Sequence, residues 1–526
     1  MYIAMDMGTS NTRLWLCRGD KVISAKKGAF GAGSTKSHSR EYLFNSLRSL
    51  IDELLSESSV SASELKCIMV SGMAGSEIGL CDISHIPLPA DIYTLADNVT
   101  SKAFPEITEI PFVFVPGLKK MDGENLADIM RGEETEVAGI LNLMNLQEDC
   151  LLVLPGTHNK IISVAKSGEI TDFHTTFSGE LINGIINNSV LTGDVSHEFE
   201  TNQAAIFAGS EYAKKYGTNA ALFHIRVMMK NGKDTDYLSS FLYGAVIGKD
   251  TLLIHRLAGS KRIYIGGRKN LRRAHAFLLG EENVTEFHED IANSAVLSGL
   301  IQIYKLISAR DERARILSSI EKEKLIAIIR APEKQSFIPA MQALYDGGVR
   351  LAEITYDRTR KHSAEFTANL IKSAVETFGE DMFIGAGTVT TPEEVMLTYN
   401  AGGKFIISPN CDAEIIKLTK KLGLVSIPAA FTPTEIADAI KAGADFVKLF
   451  PADQVSAGYV KAVSAPLSDA KLLAVGGVDV SNAGEMIKRG FCGVGIGSNL
   501  YDKKLIQEGK FTELSELAKA YAEAVK

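Results

Sequence analysis

Cysteine is scarce in this chain of 526 residues: there are six, none in CxxC spacing, which excludes a disulfide framework and points to reduced thiols. Basic runs are missing as well. The formal net charge is −8 with 23% charged residues, so solubility is expected and nonspecific nucleic-acid binding is not. No uninterrupted apolar run approaches membrane-spanning length, and the chain opens on a strand-like segment without the basic and apolar regions of a signal peptide. A soluble cytoplasmic enzyme with no membrane partner is the expectation. From residue 321 onward only Cys411, Cys492 and a solitary His362 are present as thiol or imidazole ligands, too far apart in sequence to suggest a metal site.

What is present begins with length, which is too great for a single core and implies at least two domains. In Phe446-Val447-Lys448-Leu449-Phe450-Pro451 one lysine stands in the middle of an apolar strand, sharing a face with Phe446 and Phe450. Removal from water disfavours the ammonium form, and a neutral amine can attack a carbonyl to form a Schiff base. The alternative is a lysine that snorkels to the strand end or pairs with a carboxylate. The surroundings repeat: strand-like runs recur at Ile326–Arg330, Leu351–Tyr356, Phe383–Val389, Phe405–Pro409, Ser426–Phe431, Phe446–Pro451, Leu472–Val478 and Gly493–Ser498. Eight strands with helix-compatible stretches between them predict a (β/α)8 TIM barrel over residues 321–526, with chemistry at the C-terminal strand ends. Glu353 lies on such a strand, and a buried carboxylate is rare unless paired or working. An ion pair between Lys448 and Glu353 would account for both residues without catalysis. Gly476-Gly477 and Gly495-Ile496-Gly497-Ser498 close the last two strands, where barrel enzymes cradle a phosphate on backbone N–H groups.

This segment resembles the 2-keto-3-deoxy-6-phosphogluconate and 6-phosphogalactonate (KDPG and KDPGal) aldolases, class I enzymes that release pyruvate and glyceraldehyde 3-phosphate. The resemblance rests on Ile328-Ile329-Arg330, Glu353-Ile354-Thr355, Gly385-Ala386-Gly387-Thr388-Val389, Ile407-Ser408-Pro409, Thr432-Pro433-Thr434-Glu435, Lys448-Leu449-Phe450-Pro451-Ala452 and Gly476-Gly477-Val478. It implies that Lys448 forms the Schiff base and Glu353 moves protons. Arg330, Thr388, Pro409, Gly476, Gly477, Gly497 and Ser498 would hold the substrate, no cofactor beyond the lysine would be required, and the subunits would associate as a homo-oligomer, a trimer through this half. Two positions depart from the family pattern. The arginine expected four residues after the glutamate is Asp357 here, with Arg358 one later, and the Pro-Gly of the fifth strand is Pro428-Ala429.

The N-terminal part carries its own signal, and it occurs twice. Residues 2–16 and 151–164 each read as strand, polar glycine turn, strand, centred on Asp6-Met7-Gly8-Thr9-Ser10-Asn11-Thr12-Arg13 and Pro155-Gly156-Thr157-His158-Asn159-Lys160. Taken singly each is an ordinary hairpin; the internal echo suggests two related α/β lobes. The pair resembles the phosphate loops of the actin/hexokinase superfamily, and Arg262-Ile263-Tyr264-Ile265-Gly266-Gly267-Arg268-Lys269-Asn270 resembles its adenosine-binding turn. Residues 1–308 are similar to the 2-keto-3-deoxygalactonokinase family, through these segments and Ser71-Gly72-Met73-Ala74-Gly75-Ser76, Met130-Arg131-Gly132-Glu133-Glu134-Thr135 and Ser178-Gly179-Glu180-Leu181. The resemblance implies ATP and Mg²⁺ as cofactors, the metal on Asp6 and the nucleotide on Gly8, Thr9, Ser10, Asn11, Arg13, Gly156, Thr157, Lys160, Gly266 and Gly267. It makes Glu134 the first choice for the catalytic base, with Asp172 and Glu180 behind it. Met7 stands where the family commonly has tryptophan.

Charged stretches at Ser308–Arg315 and Glu321–Lys324 bracket an expected linker, residues 309–320, helical in part. One chain would then phosphorylate 2-keto-3-deoxygalactonate and cleave the product. The alternatives are a gluconate-type aldolase with a sensing, non-catalytic N-terminal domain, and a barrel isomerase or decarboxylase in which Lys448 is only an electrostatic group.

Overall fold

The computed structural model describes residues 1–36, 38–267, 269–280, 284–330, 333–359, 363–379 and 381–526. Arg268 and His362, both singled out above, lie outside the described residues. The chain divides into two compact units, Met1–Ile307 and Ser308–Lys526.

The first unit contains β1 (Tyr2–Met7), β2 (Thr12–Arg18), β3 (Lys21–Gly28), β4 (Ile68–Gly72), β5 (Ile86–Pro87), β6 (Thr100–Phe104), β7 (Thr108–Phe114), β8 (Leu118–Asp122), β9 (Asn125–Met130), β10 (Cys150–Leu154), β11 (Asn159–Val164), β12 (Ile170–Thr176), β13 (Arg262–Ile265) and β14 (Val284–Glu286). Two of its sheets have the orders β3-β2-β1-β4-β7-β6 and β12-β11-β10-β13-β14. In each, an antiparallel run of three strands continues through its first strand into two parallel partners. The echo in the sequence is therefore a repeat of topology, to which the first sheet adds the edge strand β6. The first strand of each sheet is covered on both faces, which is why β1 and β10 read as nearly unbroken apolar runs. Tyr2 and Ala4 join Cys150, Leu152 and Phe173 in one core, while Ile3, Met5 and Met7 face a second core under the helix Arg40–Ser58.

The second unit is the expected barrel. Its strands are β15 (Leu325–Ile329), β16 (Leu351–Thr355), β17 (Phe383–Gly387), β18 (Phe405–Ile407), β19 (Val425–Ile427), β20 (Ala429–Ala430), β21 (Val447–Leu449), β22 (Leu472–Val475) and β23 (Gly493–Ile496). Parallel pairing runs from β19 through β15 and β23 to β20. Segments β19 and β20 are one strand broken at Pro428, which has no N–H for the ladder, so the ring closes through a split fifth strand. Alternation fixes what faces inward: Phe446, Leu351, Ile326, Phe405 and Leu473 fill the barrel, whereas Val447, Leu449, Ala352 and Ile354 pack outward under the helices. By the same period of two, Lys448 and Glu353 point inside.

Residues 309–320, expected as a linker, are helical throughout, within a single helix Glu289–Glu323. Ala295, Leu300 and Ile303 are buried in a core of the first unit, and Tyr304 stacks on Tyr2 with ring centroids 3.6 Å apart. Ile316 and Ile320 belong to the barrel's inner cluster with Phe405 and Phe446. The charges read as a linker are the solvated side of this helix and its ion pairs, such as Lys404–Glu312 at 2.7 Å. By length and hydropathy it is also the helix among the described residues that could cross a membrane, a property the sequence reading did not anticipate; its buried face is committed to the two cores.

Candidate active sites

In the first unit both polar glycine turns are pinned by neighbouring backbone, and the positions with no room for a side chain are the glycines packed against the turns, not Gly8 and Gly156 within them. Gly8 N–H donates to Asn11 O at 2.9 Å, Ala32 N–H to Gly8 O at 3.0 Å and Gly33 N–H to Thr9 O at 2.8 Å. A Cβ on Gly31 would strike Gly8 O, and one on Gly179 would strike Gly156 O. Gly267, at φ +78°, lies so close to Pro155 O that a side chain there would collide. The two turns and the start of the helix Lys269–Leu279 converge on one cavity of about 690 Å³, lined among others by Thr9, Ser10, Gly156, Thr157, Lys269 and Asn270. Gly266 and Gly267 immediately precede its lining. Glu180 lines the same cavity.

Other expected residues lie elsewhere. The Asp6 carboxylate accepts from Arg13 Nη2 at 2.6 Å, so these two engage each other. Lys160 is buried and donates to Ile129 O and Thr175 Oγ1, both at 2.7 Å. Asp172 is paired with Lys120 at 2.6 Å. Glu134 has no exposed surface; both its oxygens accept from Gly132 N–H, at 2.9 and 2.8 Å, and it lines a separate cavity beside Val137 and Ile170. Burial and the neighbouring Glu133 push its carboxyl up to about 8. Glu133, one residue earlier on the helix Glu133–Met144, is only partly buried and feels the charges of Lys160 and His158 on the second hairpin. Its carboxyl is raised by burial, against the pull of Lys160. Glu136, one turn on and on the same face, feels Asp6 and Arg13 of the first hairpin and is pushed by burial up to about 8.

In the barrel Lys448 and Glu353 are both buried. Burial holds the lysine below its usual range, with Glu353 pulling the other way. Burial pushes Glu353 up to about 7, with Lys448 and then Arg330 opposing. Its Oε2 has no hydrogen-bond partner. A Cβ on Gly387 would lie 2.6 Å from the Glu353 carboxyl carbon, so this glycine is the space the carboxylate occupies. Thr388, which follows, sits at φ +59°, a conformation unusual for a branched residue and found where local strain serves a site. Its carbonyl accepts from Arg358, whose guanidinium also pairs with Glu394 at 2.5 Å. The displaced arginine therefore ties two strand-end loops together. At the last two strands Gly476 and Gly477 have φ of +94° and +68°, Gly497 lies beside the Arg330 guanidinium, and Asn499 Nδ2 donates to Val478 O at 3.1 Å. Pro409 and Ser498 are exposed at their strand ends.

The family 2-keto-3-deoxy-galactonokinase matches residues 6–303, and KDPG and KHG aldolase matches residues 316–517. A 2-dehydro-3-deoxy-6-phosphogalactonate aldolase of Escherichia coli is 34% identical over 205 residues, covering 39% of this chain and 97% of that one. The chain belongs to both families. It joins a kinase domain to an aldolase domain. The kinase domain is similar to a 2-dehydro-3-deoxygalactonokinase of Escherichia coli, 29% identical over 47% of this chain and 78% of that protein. The aldolase domain is also similar to a 2-dehydro-3-deoxy-phosphogluconate aldolase of Haemophilus influenzae, 28% identical over 40% of this chain and 97% of that protein.

Proposed function

We propose that the chain catalyses two consecutive steps: ATP-dependent phosphorylation of the C6 hydroxyl of 2-keto-3-deoxygalactonate, then cleavage of the 6-phosphate to pyruvate and glyceraldehyde 3-phosphate. The observation that carries this reading is the presence on one chain of a kinase family and of an aldolase family, the latter with a relative named for a phosphorylated sugar acid. The galacto epimer is supported by the kinase relative and by the higher identity to the phosphogalactonate aldolase, 34% against 28% for the phosphogluconate enzyme.

In the kinase domain the backbone N–H groups and hydroxyls of the two turns hold the nucleotide phosphates, and the residues after Gly266-Gly267 hold the nucleoside. Mg²⁺ arriving with ATP would be held by Asp6, whose oxygen donors suit a hard cation, and would neutralise phosphate charge. The base that takes the C6 hydroxyl proton is assigned to Glu133, because both Glu134 oxygens are held by Gly132 N–H, whereas Glu133 accepts from Arg131 N–H through Oε2 and feels Lys160 and His158 of the second hairpin. A carboxyl raised towards neutrality suits that task.

In the aldolase domain the neutral Lys448 amine attacks the C2 carbonyl, and Glu353 protonates the departing hydroxyl so that water leaves and an imine forms. Removal of the C4 hydroxyl proton then breaks the C3–C4 bond, its electron pair moves into the protonated imine, and glyceraldehyde 3-phosphate departs. Protonation at C3 and hydrolysis return pyruvate and the free lysine. Arg330 and Thr388 hold the substrate carboxylate or hydroxyls, and the glycines of the last two strands hold the phosphate. A cytoplasmic homo-oligomer, trimeric through the aldolase domain, acting on small molecules without nucleic acid or membrane, completes the reading. Incubating the purified chain with ATP and each C4 epimer tests it: ADP, pyruvate and glyceraldehyde 3-phosphate from the galacto acid are expected. Equal or greater kinase kcat/KM for the gluco epimer overturns the assignment.

A further inference from the structure

The kinase mechanism above leaves one buried charge unused. Asp250, on the helix Thr235–Ala258, is 7% exposed. Its Oδ2 accepts from Asn159 Nδ2 and from Thr176 Oγ1, both at 2.9 Å. Ser178 also hydrogen-bonds to it. These three residues frame the second phosphate turn: Asn159 ends the turn, Thr176 ends β12, and Ser178 opens the helix whose Gly179 is packed against Gly156 O. His275, fully buried on the helix Lys269–Leu279, approaches from a further side, with Nε2 3.9 Å from Oδ2 and otherwise without a hydrogen-bond partner. Its Nδ1 is turned to Leu271 O at 2.8 Å.

A buried carboxylate is costly unless it is satisfied, and a negative charge behind a phosphate-binding turn opposes the ligand. What the carboxylate supplies is polarity. It can only accept, so Asn159 must present its amide N–H to it, which leaves Asn159 Oδ1 to accept from Gly156 N–H at 3.2 Å. A neutral amide at position 250 could turn either way and would release that constraint.

We propose that Asp250 is a positioning residue for nucleotide binding: through Asn159 and Thr176 it fixes the second phosphate turn. The proposal rests on the kinase reading for the ligand's identity, and its test does not require turnover. In the full chain, binding of a non-hydrolysable ATP analogue is measured for wild type, Asp250→Asn and the double exchange Asn159→Asp with Asp250→Asn, alongside thermal melting. In the exchanged pair the carboxylate now at position 159 accepts from both Gly156 N–H and the amide now at position 250, so the polarity is fixed again. Asp250→Asn is expected to weaken the analogue about tenfold or more, as the loss of a charged hydrogen bond implies, and the exchange to recover a substantial part of it. Where turnover is measurable, KM for ATP rises while KM for the sugar acid stays within about twofold, as a fault confined to the nucleotide subsite implies. Unchanged analogue binding in Asp250→Asn overturns the proposal, as does an exchange that stays as weak as the single variant while melting like wild type. Analogue binding that follows this pattern in a wild-type chain unable to phosphorylate the sugar acid would sustain the proposal and refute the kinase reading. A wild type that does not bind the analogue refutes both.

Discussion

The two sites on this chain handle charge in opposite ways. The barrel withdraws Lys448 and Glu353 from water and leaves Glu353 Oε2 without a hydrogen bond, so that both groups are driven towards their neutral forms. In the kinase domain, apart from Glu133, Glu134 and Glu136, whose carboxyls burial raises, ionisable groups are paired with one another, Asp6 with Arg13 and Asp172 with Lys120, and backbone turns face the cavity. Glycine serves both designs differently. Gly387 makes room for a side chain, whereas Gly31, Gly179 and Gly267 bring backbones together. Chemistry that makes and breaks bonds to the enzyme needs a perturbed pKa; binding of a triphosphate needs fixed dipoles.

The sharpest way to break this comparison is Lys448→Met, which should abolish both pyruvate formation and borohydride trapping of pyruvate, read by mass spectrometry of the peptide carrying residue 448. Label on another lysine would remove the barrel side altogether. Next, Glu353→Gln should lower aldolase turnover by about 10²- to 10⁴-fold, the usual scale for a lost general acid/base. With the Glu353 carboxyl at about 7, the acid form that protonates the departing hydroxyl is lost as pH rises, so wild-type kcat/KM should decline above about pH 7. That basic limb should be missing from the residual activity of Glu353→Gln.

The glycines give a smaller and paired effect. Gly387→Ala places a Cβ 2.6 Å from the Glu353 carboxyl carbon and should lower aldolase kcat by about 10²-fold, the scale of a misplaced catalytic group. Gly179→Ala displaces backbone and should raise KM for ATP with the aldolase intact. If either change affected both activities, the division between the sites would be wrong. Smallest of all, Ile316→Ala should destabilise the barrel by about 2–5 kcal/mol, seen by denaturant unfolding of the second transition, because this isoleucine is buried in the barrel interior. For the same reason a barrel fragment beginning at residue 321 should melt below one beginning at residue 308.

That last effect marks where the sequence stopped being legible. The barrel strands and the repeated hairpins could be read because period-two apolar runs and glycine turns recur at characteristic spacing. Residues 309–320 could not, since charges on the outer face of a long helix look the same as charges on a linker, and Ile316 and Ile320 gain meaning only from the ring of strands they enter. Glu133 and Glu134 were inseparable in sequence because their roles depend on where the helix begins, which Gly132 at φ +106° decides. Lys160 followed a phosphate-loop motif, yet the inward face of β11 takes it to Ile129 O. Asp250 gave no signal at all: its partners are between 25 and 91 residues away in sequence.

The broken fifth strand has a dynamic consequence. Lys448 stands on β21, whose ladder to the split strand has only the pairs Ala429–Lys448 and Ala430–Leu449, with Lys448 N–H donating to Pro428 O at 2.9 Å, Phe450 N–H to Ala430 O at 3.2 Å and, before the break, Phe446 N–H to Ser426 O at 3.3 Å. A ladder this short has few hydrogen bonds to lose before it opens. In hydrogen exchange the amides of Lys448 and Phe450 should be released before those of β15 and β16, marking a breathing seam in the barrel wall at Lys448.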